Sequence, residues 1–255
     1  MLFPCLRIDL SEGRPEAQSA IPDGDFGGGF QAPLLEVQQQ FPPGISRLPV
    51  AIRDRDQFLA GIAYLDDDLK RLFGGLRRRD LLARTLAILV SDHGEEFGEH
   101  GTFGHGRDLH MQSIRVPLLL RLPGIVPGEV TVPEPVTLRD IPATVVGLLG
   151  LPDDGQFPGQ SLVRYWLEPG RREPESLDPV LSELSRDTSC VGAPVAKGDM
   201  RSLVIRDIHY IRNGDGTEEV YDLRQDPAEH DDLMQTPRGA EAAAQAGHIL
   251  KRMTR

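Results

Sequence analysis

Cysteine is nearly absent: the 255 residues hold two, Cys5 and Cys190. Two thiols cannot make the disulfide framework of a small secreted domain or a cysteine-based zinc site. Long apolar runs are missing too. No segment approaches the roughly 20 apolar residues that cross a bilayer, so no membrane span is expected. Positive charge is in short supply: 28 Lys and Arg face 39 Asp and Glu, for a net charge of −11. Nucleic-acid affinity rests on neutralising phosphates with Lys and Arg, so no nucleic-acid partner is expected. An anionic membrane surface fits equally poorly. The opening Met1-Leu2-Phe3-Pro4-Cys5-Leu6-Arg7 lacks the basic-then-apolar pattern of a secretion signal. As written, the chain reads as cytoplasmic; were an N-terminal region missing, it would read as periplasmic or secreted.

What is present suffices for a packed core. Hydrophobic residues make up 39% and charged residues 26%, enough for one large or two small domains. The chain is organised around the stretch from Thr85 to Gly101. It opens as an apolar run, Leu86 to Val90, and ends in Asp92-His93-Gly94-Glu95-Glu96-Phe97-Gly98-Glu99-His100-Gly101. A short aliphatic run bounded by polar residues predicts a buried strand of a parallel sheet. Open α/β sheets bind ligands beyond the carboxyl ends of their strands. Asp92 and His93 stand at such an end, and a carboxylate beside an imidazole suits a divalent metal.

Around this strand the pattern predicts three regions. Residues 1–54 read as an irregular leader. Its Asp23-Gly24-Asp25 hints at a calcium loop, but the twelfth position is Leu34 and an EF-hand needs an acid there. Residues 55–165 read as an α/β core. Its helix over 55–79 repeats Phe58, Leu59, Ile62, Leu65, Leu69, Leu72, Phe73 and Leu76 at three- and four-residue steps. Asp66-Asp67-Asp68 points around the helix by about 100° per residue, so the three cannot converge on one ion. A second short strand is expected over 116–124, entered through Pro117. A short helix should end at Gly150, with Thr137 as its N-cap and Ile141, Val145, Leu148 and Leu149 facing the sheet. Residues 180–255 read as an antiparallel sheet with a terminal helix over 238–253. Asn213-Gly214-Asp215-Gly216 is its hairpin turn.

Several motifs then combine. Ser91-Asp92-His93-Gly94-Glu95-Glu96-Phe97-Gly98-Glu99-His100-Gly101, followed by Phe103-Gly104-His105-Gly106 and Ile114-Arg115-Val116-Pro117-Leu118, resembles the sulfatase family of the alkaline phosphatase superfamily. Leu138-Arg139-Asp140-Ile141-Pro142-Ala143-Thr144 and Pro158-Gly159-Gln160-Ser161-Leu162 are similar to its following helix and turn. Glu219-Val220-Tyr221-Asp222-Leu223 with Asp226-Pro227 resembles its C-terminal strand. The likeness covers about residues 50–235.

The resemblance implies an alkaline-phosphatase-like α/β sandwich with a mainly parallel sheet and a small C-terminal antiparallel subdomain. It implies hydrolysis of sulfate monoesters, on a small molecule or a glycan. The alternatives are phosphomonoester or phosphodiester hydrolysis, and a non-catalytic binding or assembly fragment. It implies one divalent cation, calcium first, manganese or zinc next, with Asp92 and His93 as the matching ligands. His105 stands near the family's sulfate-contacting lysine and would be the general acid. Arg107 would supply the permanent charge. His100 and His110 are expected to be structural, and Glu95, Glu96 and Glu99 mostly solvated. The family's nucleophile is a formylglycine made from Cys or Ser in a C-x-P-S-R-type motif. Neither Cys5, in Pro4-Cys5-Leu6-Arg7, nor Cys190, in Ser189-Cys190-Val191-Gly192, matches it. The expectation is therefore a C-terminal portion that associates with a missing N-terminal half.

Overall fold

The computed structural model describes residues 2–3, 48–128, 130–152, 155–167 and 179–254, with the side chains of 2–3 and 48–54 left aside. Most of the expected leader, and its Asp23 to Asp25 run, lies outside these residues.

Helix α1 runs Leu48–Arg78, starting seven residues before the expected helix start at 55. Arg77 and Arg78 close it, where cations favour the helix dipole. Its periodic face is not buried: Phe58, Leu59, Ile62, Leu65 and Leu72 are all exposed, by 42 to 57%. Asp68 instead forms a surface ion pair with Arg71.

Strand β2 (Ala87–Val90) follows and pairs with β5 (Leu118–Arg121), Ala87 opposite Arg121 and Val90 opposite Leu118. That ladder is antiparallel, as is every ladder among the described residues. The α/β class holds, but the parallel partner expected for residues 86–90 is corrected. An unbroken apolar run reports contact on both faces; it carries nothing about the direction of its neighbour. Burial is also lighter than expected on β2, whose Val90 is 38% exposed. β5 carries the inner surface: Leu118 and Leu120 are buried with Val116, Leu122, Val136, Leu148 and Leu162.

Between β2 and β5 lie β3 (Glu96–Phe97), β4 (Phe103–Gly104) and the one-turn helix α2 (Met111–Ile114). Strand β1 (Leu2–Phe3) pairs with β6 (Val136–Thr137). Helix α3 (Asp140–Leu149) ends on Gly150 at φ 62°, the left-handed cap the glycine predicts. Thr137 does not cap it. Its hydroxyl accepts from Arg139 N, while Asp140 accepts from Thr137 N. Of the four residues expected to face the sheet, Leu148 is buried, Ile141 and Val145 are half-buried and Leu149 is exposed, while Ala143, Thr144 and Val146 are buried in addition. Gly159 crosses so close to Arg139 that a Cβ would stand 1.9 Å from its carbonyl oxygen, so that turn admits no side chain. The short helix α4 (Arg164–Leu167) follows.

The C-terminal unit is a four-stranded sheet in the order β10-β9-β8-β7. β7 is Val180–Leu184, β8 Met200–Ile205, β9 Ile208–Arg212 and β10 Glu218–Asp222. These match the expected segments to within a residue. Helix α5 (Pro237–Met253) starts with Pro237 after Thr236, whose hydroxyl accepts from Gly239 N at 3.0 Å, an N-cap arrangement. It lays Ala243, Ala246 and Leu250 on Leu203, Ile205, Tyr210 and Val220. The opposite face of the sheet packs Val180, Met200, Val204, Ile211 and Tyr221 against Leu109, Met111 and Ile114. The segment between β4 and β5 is thus part of the core of the C-terminal unit.

Candidate functional site

The backbone beyond β2 turns sharply because Gly94 packs directly on the segment before β5. Its N–H donates to Ser113 O at 2.8 Å, and a Cβ there would lie 1.9 Å from Gln112 O. This close approach brings the end of β2 to the loop carrying residue 105. The imidazoles of His93 and His105 stack, centroids 3.8 Å apart and planes 25° apart. The His93 Nδ1–H donates to Gly94 O at 2.7 Å, which leaves Nε2 with its lone pair free for a ligand. His105 donates from Nδ1 to Glu95 Oε2 at 3.0 Å.

His93, Glu95 and His105 each offer an atom, and these lie within 4.8 Å of one another. Two imidazole nitrogens and a carboxylate form a donor set that a divalent metal ion fits. The set suits zinc or manganese better than calcium, which prefers oxygen ligands throughout. Asp92 stands beside this group rather than within it. Its Oδ2 is 3.8 Å from His93 Nε2 and its side chain is 88% exposed. Hydrogen bonds from its own N–H, then the nearby His93, hold its carboxyl below the usual range. Arg107 is exposed, and its Nε and a Glu95 oxygen both border Gly104. All four expected site residues therefore gather in one loop region, and Glu95 joins them.

Behind the loop the acidic residues are not solvated as expected. Glu96 is 1% exposed, and its carboxyl receives the hydroxyls of Thr102 and Ser113. Burial, then Asp108 alongside, pushes Glu96 up to about 8. Burial acts the same way on Asp108, but His110 and the protonated Glu96 overcome it and hold Asp108 low. Thr102 Oγ1 also lies 2.7 Å from an Asp108 oxygen, so its single hydroxyl proton serves both carboxyls. The expectation failed because Glu96 points from β3 into the gap behind β4, a register that charge in the sequence does not reveal. Glu99 remains exposed.

The Sulfatase family model matches residues 15–151. The chain belongs to the sulfatase family. The choline-sulfatase of Rhizobium meliloti (strain 1021) is 32% identical over 192 residues, covering 73% of this chain and 34% of that protein. A protein solved in complex with its substrate D-glucosamine-2-N,6-O-disulfate superposes with a TM-score of 0.62 at 20% identity, over 76% of this chain and 39% of that one. The phosphonate monoester hydrolase of Agrobacterium radiobacter gives 0.57 at 27% identity, over 76% and 39%. These neighbours carry the alkaline-phosphatase-like fold. The chain spans about a third of the length of the curated relatives it matches. Sulfatases generally bind a divalent metal, and the His93, Glu95 and His105 group is where such an ion fits among the described residues.

Proposed function

We propose that this chain supplies the metal-facing and leaving-group side of a sulfate monoester hydrolase. The observation that supports it is the gathering of Asp92, His93, Glu95, His105 and Arg107 around the end of β2. When bound, a divalent cation supplies the charge that offsets the developing negative charge on the transferred group's oxygens. His93 and Glu95 would hold it, and Asp92, the other ligand the resemblance implies, stands beside them. His93 is held as the Nε2 ligand by its hydrogen bond to Gly94 O. His105, hydrogen-bonded to Glu95, is the proposed proton donor to the leaving oxygen, a role it would take in place of ligation. Arg107 brings a charge that does not titrate. The substrate class is a sulfated small alcohol or sugar, in keeping with the choline-sulfatase relative and the disulfated glucosamine in the neighbouring structure. Calcium was the expected ion; the nitrogen donors favour zinc or manganese.

The 255 residues contain no Cys-x-Pro-Ser-Arg segment, so we infer that turnover needs further residues supplied as an N-terminal half. The exposed apolar face of α1 supports that association. Phosphonate or phosphate ester hydrolysis is the second reading, supported by the phosphonate monoester hydrolase neighbour.

Titrating the full chain with zinc, manganese and calcium by calorimetry tests the metal side. One ion should bind per chain, lost in His93→Ala and weakened in Asp92→Ala. No binding at millimolar metal would overturn the metal reading and leave the assembly-fragment alternative. Assays on sulfated and phosphorylated chromogenic esters, with an N-terminal sulfatase half added, then decide between sulfate and phosphate.

A further inference from the structure

The loop that bears His105 and Arg107 ends in a buried polar cluster that the proposed chemistry does not touch. His110 is 6% exposed. Its Nε2 lies 3.2 Å from Glu219 Oε2 on β10 and its Nδ1 lies 3.2 Å from Asp108 Oδ1. Only the Nε2 contact has hydrogen-bond geometry, but a carboxylate oxygen close to each nitrogen favours the ring as a cation. His100 stacks on its face at 3.6 Å with the planes 3° apart, and Tyr221 sits 5.8 Å away. Glu219 is held in turn, accepting from Tyr221 at 2.6 Å and from Asn213. One residue on, Met111 N donates to Glu229 at 2.7 Å, and Glu229 also binds the ring of His209 on β9. Val195 N donates to Arg107 O at 3.2 Å. The site loop is thereby gripped from β9, β10, the loop at 229 and the turn at 195, all in the C-terminal unit.

We propose that His110 is a positioning residue: as a buried imidazolium it bolts the loop bearing His105 and Arg107 to β10 through Glu219, so that the C-terminal sheet sets where those two side chains stand. This rests on the reading of His105 and Arg107 as site residues. An apolar side chain would fill the same space. What it would lose is direction, because a charged hydrogen bond from Nε2 to Glu219, with the backbone N–H of His110 bound to Asp108, admits one register of loop against strand, whereas apolar packing tolerates several. The charge state agrees with the geometry. Burial alone would lower the His110 pKa, yet Asp108 and Glu219 push it up to about 10. The groups facing it are the carboxylates of Asp108, Glu219 and Glu229, the imidazole of His100 and the phenol of Tyr221. His209 stands behind Glu229. His100 is driven the other way, by burial and then by the charge on His110, so the stack pairs a neutral ring with a cation.

The test compares the full chain with His110→Gln, Glu219→Gln and the double variant. Amide exchange across residues 103–109 should quicken by about tenfold or more in each single variant, the usual scale for losing a buried charged hydrogen bond. The double variant should cost less than the two effects added. Exchange in β8, residues 200–205, and the far-ultraviolet spectrum should stay unchanged. Zinc affinity should weaken in parallel with loop exchange. Ring carbon shifts should report His110 as an imidazolium until about pH 9. Unchanged exchange over 103–109 in both single variants overturns the proposal, whatever the metal does. If zinc fails to bind the unaltered chain, the reading of the site falls, and the exchange result alone decides for or against His110. Should His110→Gln not fold, Glu219→Gln reads the same contact from the other side.

Discussion

The two ends of this chain bury their apolar residues very differently. In the C-terminal sheet, Met200, Leu203, Val204, Ile211 and Val220 are 0% exposed. Both faces are covered, one by α5 and the other by the segment 109–114. At the other end, α1 presents at least five large apolar side chains to solvent. β2 and β5 form a two-stranded ladder among the described residues, and such ladders are marginal without a third layer. Among the described residues the C-terminal sheet is covered on both faces, whereas the α/β core leaves the apolar face of α1 in solvent. The site lies on the boundary, built on the open part and held by the closed part.

The largest effect should separate these ends. Leu203→Ala removes a fully buried side chain from β8, and urea denaturation should show a loss of about 2–5 kcal/mol. Leu65→Ala on α1 trims a side chain that is 52% exposed, and the same measurement should move by about 0.5 kcal/mol or less. Equal effects would break the comparison, because they would mean that α1's face is buried in solution.

The next effect sharpens the boundary. Glu229 is 1% exposed, with its carboxylate shared between Met111 N and His209. Glu229→Ala leaves a buried N–H and an imidazole without that acceptor. The cost should be about 2–3 kcal/mol, and proteolysis should then nick the 98–114 segment before it nicks β8. Loss confined to the C-terminal sheet would show that the grip does not reach the site loop.

Much of the C-terminal unit was legible in the sequence, and the reason is local. Val180 to Leu184 and Glu219 to Leu223 are short β-prone segments of strand length flanked by polar and turn residues. Asn213 to Gly216 is a turn with its own chemistry: Gly216 sits at φ 85° and Asn213 N bonds Thr217 O. Gly150 and Pro237 likewise mark helix ends by conformations they favour. The candidate residues Asp92, His93, His105 and Arg107 were legible as residue types, and the fold draws them to one loop region; their roles are proposed. What the sequence left unread was pairing over distance. The antiparallel partner of Ala87–Val90 lies some 30 residues away. The bond from His110 to Glu219 spans 109 residues, and nothing local to either end announces it. Glu96 was misread for the same reason, since its burial depends on Thr102, Asp108 and Ser113 folding over it.

A pH effect of intermediate size tests the boundary from the charge side. His110 rises from its usual 6.5 to about 10 on folding. The folded state then binds the proton more tightly than the unfolded one, so the contribution is fully present below pH 6.5 and fades as pH climbs through 10. Glu219 has the opposite sign. Burial would raise it, but the bonds from His110, Tyr221 and Asn213 take it down to about 2, so its contribution is present above its usual 4.5 and is lost as pH falls toward 2. Urea midpoints should decline on both flanks, and His110→Gln should flatten the alkaline flank. An unaltered alkaline slope in that variant would mean that His110 does not carry the charge.

The smallest effect on folding belongs to α1, and it asks what the open face is for. Phe58, Ile62, Leu65, Leu69, Leu72 and Leu76 recur in alternating steps of four and three, a narrow seam that suits contact with another apolar surface. Asp66, Asp67 and Asp68 sit midway along it. A symmetric antiparallel pairing centred on these aspartates would set like charges against each other, which disfavours a second copy of the chain as the occupant. Replacing Ile62 and Leu65 with Lys should change the unfolding free energy by about 0.5 kcal/mol or less per site, while sedimentation shows a monomer before and after the change. The same pair of changes should abolish complementation by an added N-terminal sulfatase half. Complementation that survives them would show that the missing layer docks elsewhere, with β2's free edge the next surface to alter.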